Sequence, residues 1–187
     1  MPPKVKVTKE EIVQAAVEIV RQNGAQALNA RTVAAALSCS TQPVFSNFAS
    51  MDALRLAVVE RADALCREYM RREVETGDYP PYKATGMAYI RFAREEKELF
   101  KLLYMRDRSG EIIPEGSLLD SQTEEMVHQN TGLIGERIQL FHLEMWAYVH
   151  GIATMFATGF VNLDWELVSQ MLTDSYQGLR KQYGMEG

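Results

Sequence analysis

Residues 29–54 contain two short apolar segments with helical spacing, separated by a tight turn, and this segment restricts the fold most. Asn29 is suited to cap the first helix, residues 38–40 (Ser-Cys-Ser) supply the turn, and Ser40 is predicted to cap the second helix. The apolar residues of the first helix are Val33, Ala34 and Leu37. Those of the second that we expect to face the first are Val44, Phe45 and Phe48. Two helices this short need a third to form a core.

The preceding residues supply that third helix, predicted over residues 8–23. Thr8 and Glu11 have the spacing of a capping box, and Gly24 stands where a left-handed C-cap residue is expected. Its apolar positions recur at helical intervals: Ile12, Ala15, Ala16, Ile19 and Val20. Three helices, the last with a polar outer face, match the helix-turn-helix plan, in which that last helix enters the major groove of DNA.

The outer face of the last short helix carries side chains able to contact DNA. Gln42 suits bidentate hydrogen bonding to adenine, Arg31 suits a guanine or a phosphate, and the Pro43 ring suits a thymine methyl. The other outward polar residues are Thr41, Ser46 and Asn47. Surface helices also carry such residues simply because they face water, so the pattern alone leaves both interpretations open.

The spacing resembles the DNA-binding domain of the tetracycline-repressor (TetR) family. The matching positions are Ile12, Ala15, Ala16, Gly24, Arg31, Val33, Ala34, Ser40, Val44, Phe45, Asn47, Phe48, Asp52 and Leu54. The resemblance implies an all-α protein, with a helix-turn-helix domain over residues 1–52 and a helical effector-binding and dimerisation domain over residues 53–187. It also implies DNA contacts by Lys9, Arg31, Thr41, Gln42, Pro43, Phe45, Ser46 and Asn47. Trp146, His150 and Gly151 are similar to the Trp-His-Gly signature of one C-terminal subtype.

Four positions depart from the family's usual residues. Ser38 replaces Gly, Phe45 replaces Tyr, Asn47 replaces His and Met51 replaces Lys. The Phe45 and Met51 changes remove a hydroxyl and a cation that would contact phosphate, and phosphate contacts supply sequence-independent affinity. Lys4, Lys6 and Lys9, together with Thr41 and Ser46, are the candidate replacements.

Charge and composition fit a regulator with a DNA-binding head. The 187 residues are 47% hydrophobic and carry a net charge of −5. Residues 1–55 hold six Lys and Arg and four acidic residues, a charge of +2, so the remainder carries −7. Only residues 1–55, the head, therefore carry the positive charge that attracts DNA. There is no long apolar run or signal-peptide pattern, so we expect a cytoplasmic protein whose two cysteines are buried thiols.

The rest of the chain is predicted to be helical, without strands. Helices are expected over residues 52–74, 82–95, 97–104, 118–129, 135–158 and 164–183. Apolar stripes run along the last two: Ile138, Phe141, Met145, Tyr148, Ile152, Met155 and Phe156, then Trp165, Val168, Leu172, Tyr176, Leu179 and Tyr183. These stripes fit the monomer's own core. The family resemblance instead implies a homodimer formed by pairing the two helices.

Large, soft side chains in the middle of the chain are candidates to line a pocket for a small apolar or aromatic effector. They are Tyr89, Phe92, Tyr104, Met126, Trp146 and His150. Met and aromatic residues suit such pockets and also fill ordinary cores. Trp146 and His150 lie four residues apart, on one helix face, and are the leading pair.

Catalytic and cofactor-binding patterns are not found. His142 and His150 lack further ligands at zinc-like spacing, and the sequence has neither a nucleophile elbow nor a phosphate-binding glycine loop. We therefore expect no enzymatic activity, no metal and no cofactor. The favoured interpretation is a homodimeric repressor released from a palindromic operator by a small-molecule effector. The alternatives are an effector-independent DNA-binding protein and a helical protein-interaction module.

Overall fold

The computed structural model describes residues 7–107 and 120–185, which contain helices and no strand. The α-helices are α1 (Lys9–Asn23), α2 (Ala30–Ala36), α3 (Gln42–Asn47), α4 (Met51–Thr76), α5 (Pro81–Glu95), α6 (Lys97–Tyr104), α7 (Ser121–Thr131), α8 (Glu136–Ala157) and α9 (Trp165–Gln182). A short 3-10 helix, Ala25–Ala27, links α1 to α2. The predicted all-α fold is confirmed. No helix in the described part of the chain is long and apolar enough to cross a membrane.

The chain forms two compact units. The first unit consists of the described residues of Met1–Arg67 and Glu96–Arg106. The second unit consists of the described residues of Glu68–Glu95 and Asp107–Gly187. In the first unit, α1 packs against α2, α3 and α6. In the second unit, α5 and α8 form the main contact, and α7 and α9 each pack against both of them. The first unit thus includes α6, whereas the domain boundary predicted between residues 52 and 53 assigns α6 to the second domain.

The predicted caps explain where α1 and α2 begin. Thr8 Oγ1 accepts a hydrogen bond from the Glu11 backbone N–H at 3.2 Å, and the Thr8 N–H donates to the Glu11 carboxylate at 2.7 Å. Asn29 Oδ1 accepts from the Arg31 and Thr32 N–H groups, while the Asn29 N–H donates to Thr32 Oγ1. Both sets of bonds satisfy amide groups that a helix leaves unpaired at its start.

The start of α3 differs from the prediction that Ser40 is its N-cap. Thr41 precedes the helix, with φ −71° and ψ −13°, and no side chain caps it. The backbone is therefore already helical at Thr41, one residue after the predicted cap. Farther along, Asp120 caps α7, which begins at Ser121 rather than at residue 118. Residues 118 and 119 lie outside the described residues, as do Lys4 and Lys6.

Two side chains are more exposed than predicted. Phe45 does not face the first helix: it is 54% exposed, while Val44 and Phe48 are buried. Because successive helical residues differ by about 100°, a helix as short as α3 buries one narrow face, which Val44 occupies. Cys66 is buried as expected, whereas Cys39 is only partly buried.

Ser38, in the turn between α2 and α3, has a positive φ of 51°. An L-residue with a side chain is disfavoured in the left-handed region by roughly 1–2 kcal/mol, and glycine avoids that cost. We expect Ser38→Gly to raise the free energy of unfolding by about 0.5–1 kcal/mol. Glycine removes the cost of the positive φ, and this gain exceeds the conformational entropy that glycine adds to the unfolded chain. Urea denaturation measures the change. Ser40→Gly is the control, and a lower unfolding midpoint for Ser38→Gly would contradict the prediction.

Candidate functional site

The outer face of α3 is polar and accessible. Gln42 and Ser46 are exposed, and Thr41 and Pro43 are half-buried at the start of the helix. No hydrogen bond within residues 7–107 and 120–185 involves the Gln42 side-chain amide, so both its N–H₂ and its carbonyl are available. An amide free to donate and accept at the same time is the group that pairs with adenine in the major groove.

Ser46 and Asn47 are partly occupied by bonds within the first unit. Ser46 Oγ donates to the Gln42 backbone carbonyl at 2.9 Å. Asn47 Nδ2 donates to the Pro43 carbonyl at 2.8 Å and to the Val7 carbonyl at 3.5 Å. These bonds hold the Asn47 amide against its own helix. Gln42 is therefore the better candidate for reading a base.

The predicted cations of the head, Lys9 and Arg31, are exposed. Lys9 Nζ lies 5.2 Å from the centre of the Phe48 ring. The Arg31 guanidinium makes no ion pair with any described residue. Arg21, in contrast, donates to Glu96 at 2.7 Å and to Glu18 at 2.6 Å, and the Glu96 carboxylate raises the pKa of Arg21. The cation at Arg31 thus remains available for an external anion or a guanine.

Three of the six predicted effector-site residues come together between α5 and α8. Tyr89 Oη and His150 Nδ1 are 2.9 Å apart, and the donor depends on the tautomer of the histidine. The Trp146 ring stacks on His150, with centroids 4.8 Å apart and an interplanar angle of 15°. Tyr89 is buried, while Trp146 and His150 are half-buried. These rings form a wall with a polar edge, which suits a planar or aromatic compound.

The other three residues are placed separately. Phe92 is fully buried and meets Tyr69 edge-to-face at 5.4 Å, so it contributes to the core. Met126 is half-buried on α7. Tyr104 belongs to the first unit, where it packs on Phe100 and its hydroxyl lies 3.8 Å from Cys66 Sγ. The structure therefore does not gather all six residues at one place in the second unit.

A surface depression that the sequence did not indicate lies beside α7. Its volume is about 280 Å³, and it is lined by Glu124 and His128 of α7, Leu133 and Ile134 of the following loop, and Ile138 of α8, among others. His128 Nδ1 lies 2.8 Å from the Leu133 carbonyl oxygen. None of the six predicted effector-site residues lines it. The sequence signal for this place is Ile134, an apolar residue between Gly132 and Gly135, and the structure shows it exposed.

The two histidines considered for a metal each contact a tyrosine of α5. His142 Nδ1 lies 3.0 Å from Tyr82 Oη. The Tyr89–His150 pair makes the same type of contact farther along the same two helices. Within the described residues, no three His, Cys, Asp or Glu side chains come close enough to hold a metal ion. Both histidines thus serve as partners of tyrosines in the α5–α8 contact.

Most of the apolar stripe predicted for dimerisation packs inside the chain. Ile138, Phe141, Met145, Ile152 and Phe156 of α8 are buried, as are Val168 and Leu172 of α9. A second set of residues on α8 and α9, which includes Tyr148 of the predicted stripe, remains exposed. We call it the α8–α9 outer face, and it consists of Leu140, Leu143, Ala147, Tyr148 and Gly151 of α8 with Leu167 and Gly178 of α9. On α8 these residues recur at the spacing of one helix face, and an exposed apolar face is typical of sites that bind another protein.

His150 makes folding depend on pH. Burial lowers the pKa of His150 below its ordinary value of 6.5, so below that pH the unfolded chain binds more protons than the folded chain. The folded state is therefore expected to lose stability as the pH falls from 6.5 toward the lowered pKa, and to keep it above 6.5. Urea denaturation from about pH 5 to about pH 8 tests this. His150→Gln should flatten the profile; an unchanged slope in this variant would contradict the assignment to His150.

Comparisons with known proteins show the fold. No protein-family model and no curated protein sequence matches the chain. A TetR-like transcriptional regulator from Rhodococcus sp. RHA1 is 16% identical, with a TM-score of 0.66 over 96% of this chain and 98% of that one. A TetR family member from Streptomyces coelicolor A3 is 17% identical, with a TM-score of 0.63 over 89% and 96%. A Rhodococcus sp. RHA1 protein of unknown function is 20% identical, with a TM-score of 0.72 over 97% and 98%.

Proposed function

We propose that this all-helical chain, whose fold is that of TetR-like regulators, is a homodimeric transcriptional repressor of the TetR family that a small-molecule effector releases from a palindromic operator. The observation that carries the proposal is the outer face of α3. There the amide of Gln42 is exposed and makes no hydrogen bond with a described residue, on a helix held by buried Val44 and Phe48. A helix-turn-helix presents its second helix to the major groove in this way.

Charge distribution supports contact through the head alone. Residues 1–55 carry +2 and the rest of the chain −7. Phosphates attract the first part and repel the second, so the duplex meets α3 rather than the acidic helices. Lys9 and Arg31 supply the phosphate contacts in this proposal, with Thr41 and Ser46 beside them.

A dimer supplies the second head. One six-residue helix covers few base pairs, whereas two heads separated by one helical turn, about 34–36 Å, read both halves of a palindrome. The α8–α9 outer face is the proposed dimer interface, because it presents apolar side chains beside Gly151 and Gly178, where backbones can approach closely. An added Cβ at either glycine would meet nothing within 4 Å.

The effector site in this proposal is the wall formed by Tyr89, Trp146 and His150. A small aromatic compound that stacks there and competes for the tyrosine–histidine bond would favour one arrangement of α5 and α8 over another. Because α4 contributes residues to both units, it is the element through which such a shift would reach the heads. Release then requires only that the effector bind the two states with different affinities.

One observation favours an effector-independent regulator as the second candidate. Tyr89 and Phe92 are buried by packing within the chain, and the Tyr89 hydroxyl already has His150 as a partner. Under this candidate the same operator binding occurs, and no aromatic compound changes it. Repeating the binding measurement with a panel of aromatic compounds separates the two candidates.

The decisive experiment is selection of DNA from a random pool by the purified protein, followed by fluorescence anisotropy. The selected duplex should contain a palindrome, bind about 10³-fold or more tightly than a scrambled duplex, and lose affinity steeply between about 50 and 200 mM salt. Equal binding to both duplexes, or no enrichment in the selection, would exclude the regulator and leave the helical protein-interaction module.

A further inference from the structure

Phe45 is an aromatic residue exposed on the recognition helix α3. Its side chain is 54% exposed, and it is the only aromatic residue among the described parts of the first unit to be exposed to that extent. The other exposed residues of α3, Gln42 and Ser46, are polar, while Val44 and Phe48 are buried and hold the helix. An exposed phenylalanine on an otherwise polar recognition surface indicates a partner with an apolar group at the matching place.

Phe45 lies beside Gln42 on the accessible side of α3. The two residues are three apart, so their Cβ atoms are about 5–6 Å from each other on one helix face. Ser46, which also borders this face, turns its hydroxyl back to the Gln42 carbonyl at 2.9 Å. The exposed side chains of α3 that are free to contact a partner are therefore the amide of Gln42 and the apolar ring of Phe45.

The chemistry of the major groove identifies the partner of that ring. Phenylalanine has no hydrogen-bond donor and therefore cannot bind a phosphate, whereas the 5-methyl group of thymine is the apolar group on the base edges. Successive bases on a strand are about 3.4 Å apart, so a 5–6 Å spacing of side chains corresponds to one or two base steps. The spacing of Gln42 and Phe45 thus matches an adenine and a thymine within two positions.

We propose that Phe45 packs against the 5-methyl group of a thymine and makes each operator half-site require that thymine within two base pairs of the base read by Gln42. This inference rests on the proposed function, because it assumes that α3 enters the major groove. It assigns Phe45 a role in sequence specificity, although the side chain lacks a polar atom.

Replacing thymine by deoxyuracil in the selected duplex tests the contact, because it removes the methyl group and retains base pairing. At one position in each half-site, the replacement should weaken binding of the wild-type full-length protein about fourfold, and about fifteenfold when made in both half-sites. Phe45→Ala should bind the thymine and deoxyuracil duplexes equally. Gln42→Ala should retain the difference between them.

Leu56→Ala is the matched control, because Leu56 is 59% exposed in the same unit and lies on α4. It should retain the full sensitivity to deoxyuracil. The inference is overturned if wild-type protein binds both duplexes equally at every thymine within two positions, or if Phe45→Ala weakens binding to all sequences alike and keeps the deoxyuracil difference. Tight binding to the selected DNA in either case leaves the proposed function standing, whereas failure to select any DNA removes both.

Discussion

Gly151→Leu is expected to convert the proposed dimer into a monomer without weakening the fold of the single chain. Gly151 is exposed in the middle of α8, and a Cβ there meets no atom within 4 Å in the chain. Leucine is favoured over glycine inside a helix by about 1 kcal/mol, so the isolated chain should become more stable. On the proposed dimer interface, however, the same side chain holds the two copies of α8 apart.

The consequence for DNA binding should be large. A dimer gains about 10²-fold to 10⁴-fold in affinity by binding its second half-site as part of the same complex, and a monomer does not have that gain. Analytical ultracentrifugation gives the mass in solution, anisotropy gives operator affinity, and thermal denaturation shows that the chain remains folded.

Gln129→Leu provides the matched control for Gly151→Leu. Gln129 is exposed on α7, so the change adds the same apolar side chain away from the α8–α9 outer face. This variant should remain a dimer with full operator affinity. A dimeric Gly151→Leu protein with unchanged affinity would show that the interface lies elsewhere on the chain.

Local signals in the sequence predicted the helices well because helix boundaries depend on nearby residues. Thr8 with Glu11, and Asn29 with Thr32, form hydrogen bonds within four residues, so their effect does not depend on the rest of the fold. The 3.6-residue repeat gave the remaining helices to within a few residues. At α3, Ser40 and Thr41 are both residue types that cap helices, and the local sequence does not distinguish between them.

The orientation of side chains around each helix was harder to predict. On α8, apolar residues occur on the buried side, as at Phe141 and Ile152, and on the exposed side, as at Leu140 and Leu143. Periodicity shows that such a helix has apolar faces but does not show which one packs inside the chain. The same limit applies to Phe45, whose direction depends on which narrow face of α3 is buried.

The pocket residues required tertiary information. Trp146 and His150 share a helix face by their spacing alone, so their stacking could be predicted. Tyr89 joins them only because α5 packs on α8, and Tyr104 does not because α6 packs in the first unit. Residue type alone does not distinguish these two tyrosines.

Gln42→Ala is expected to cause the largest loss of operator affinity of any single change at α3. A bidentate contact of an amide with adenine contributes about 1–3 kcal/mol, and a symmetric dimer makes it twice. The expected loss is therefore roughly 30-fold to 10⁴-fold, with relaxed preference at the base that Gln42 reads. The exposed amide forms no bond within the described residues, so the fold should not change. Anisotropy on duplexes with each base at that position measures both effects.

Arg31→Ala distinguishes a base contact from a phosphate contact in the same assay. If the exposed guanidinium binds phosphate, affinity should fall on all sequences, and the slope of log affinity against log salt should decrease by about 0.9 for each phosphate that the variant leaves unneutralised. If it binds guanine, the loss should be confined to one base position and the slope should stay nearly constant. Gln22→Ala is the control for both variants, because Gln22 is exposed in the same unit, lies on α1 and is not a proposed DNA contact. Its amide bonds to Glu18. Because α3 carries the proposed sequence readout, full operator affinity and unchanged base preference in Gln42→Ala would mean that the chain does not read DNA through the outer face of α3.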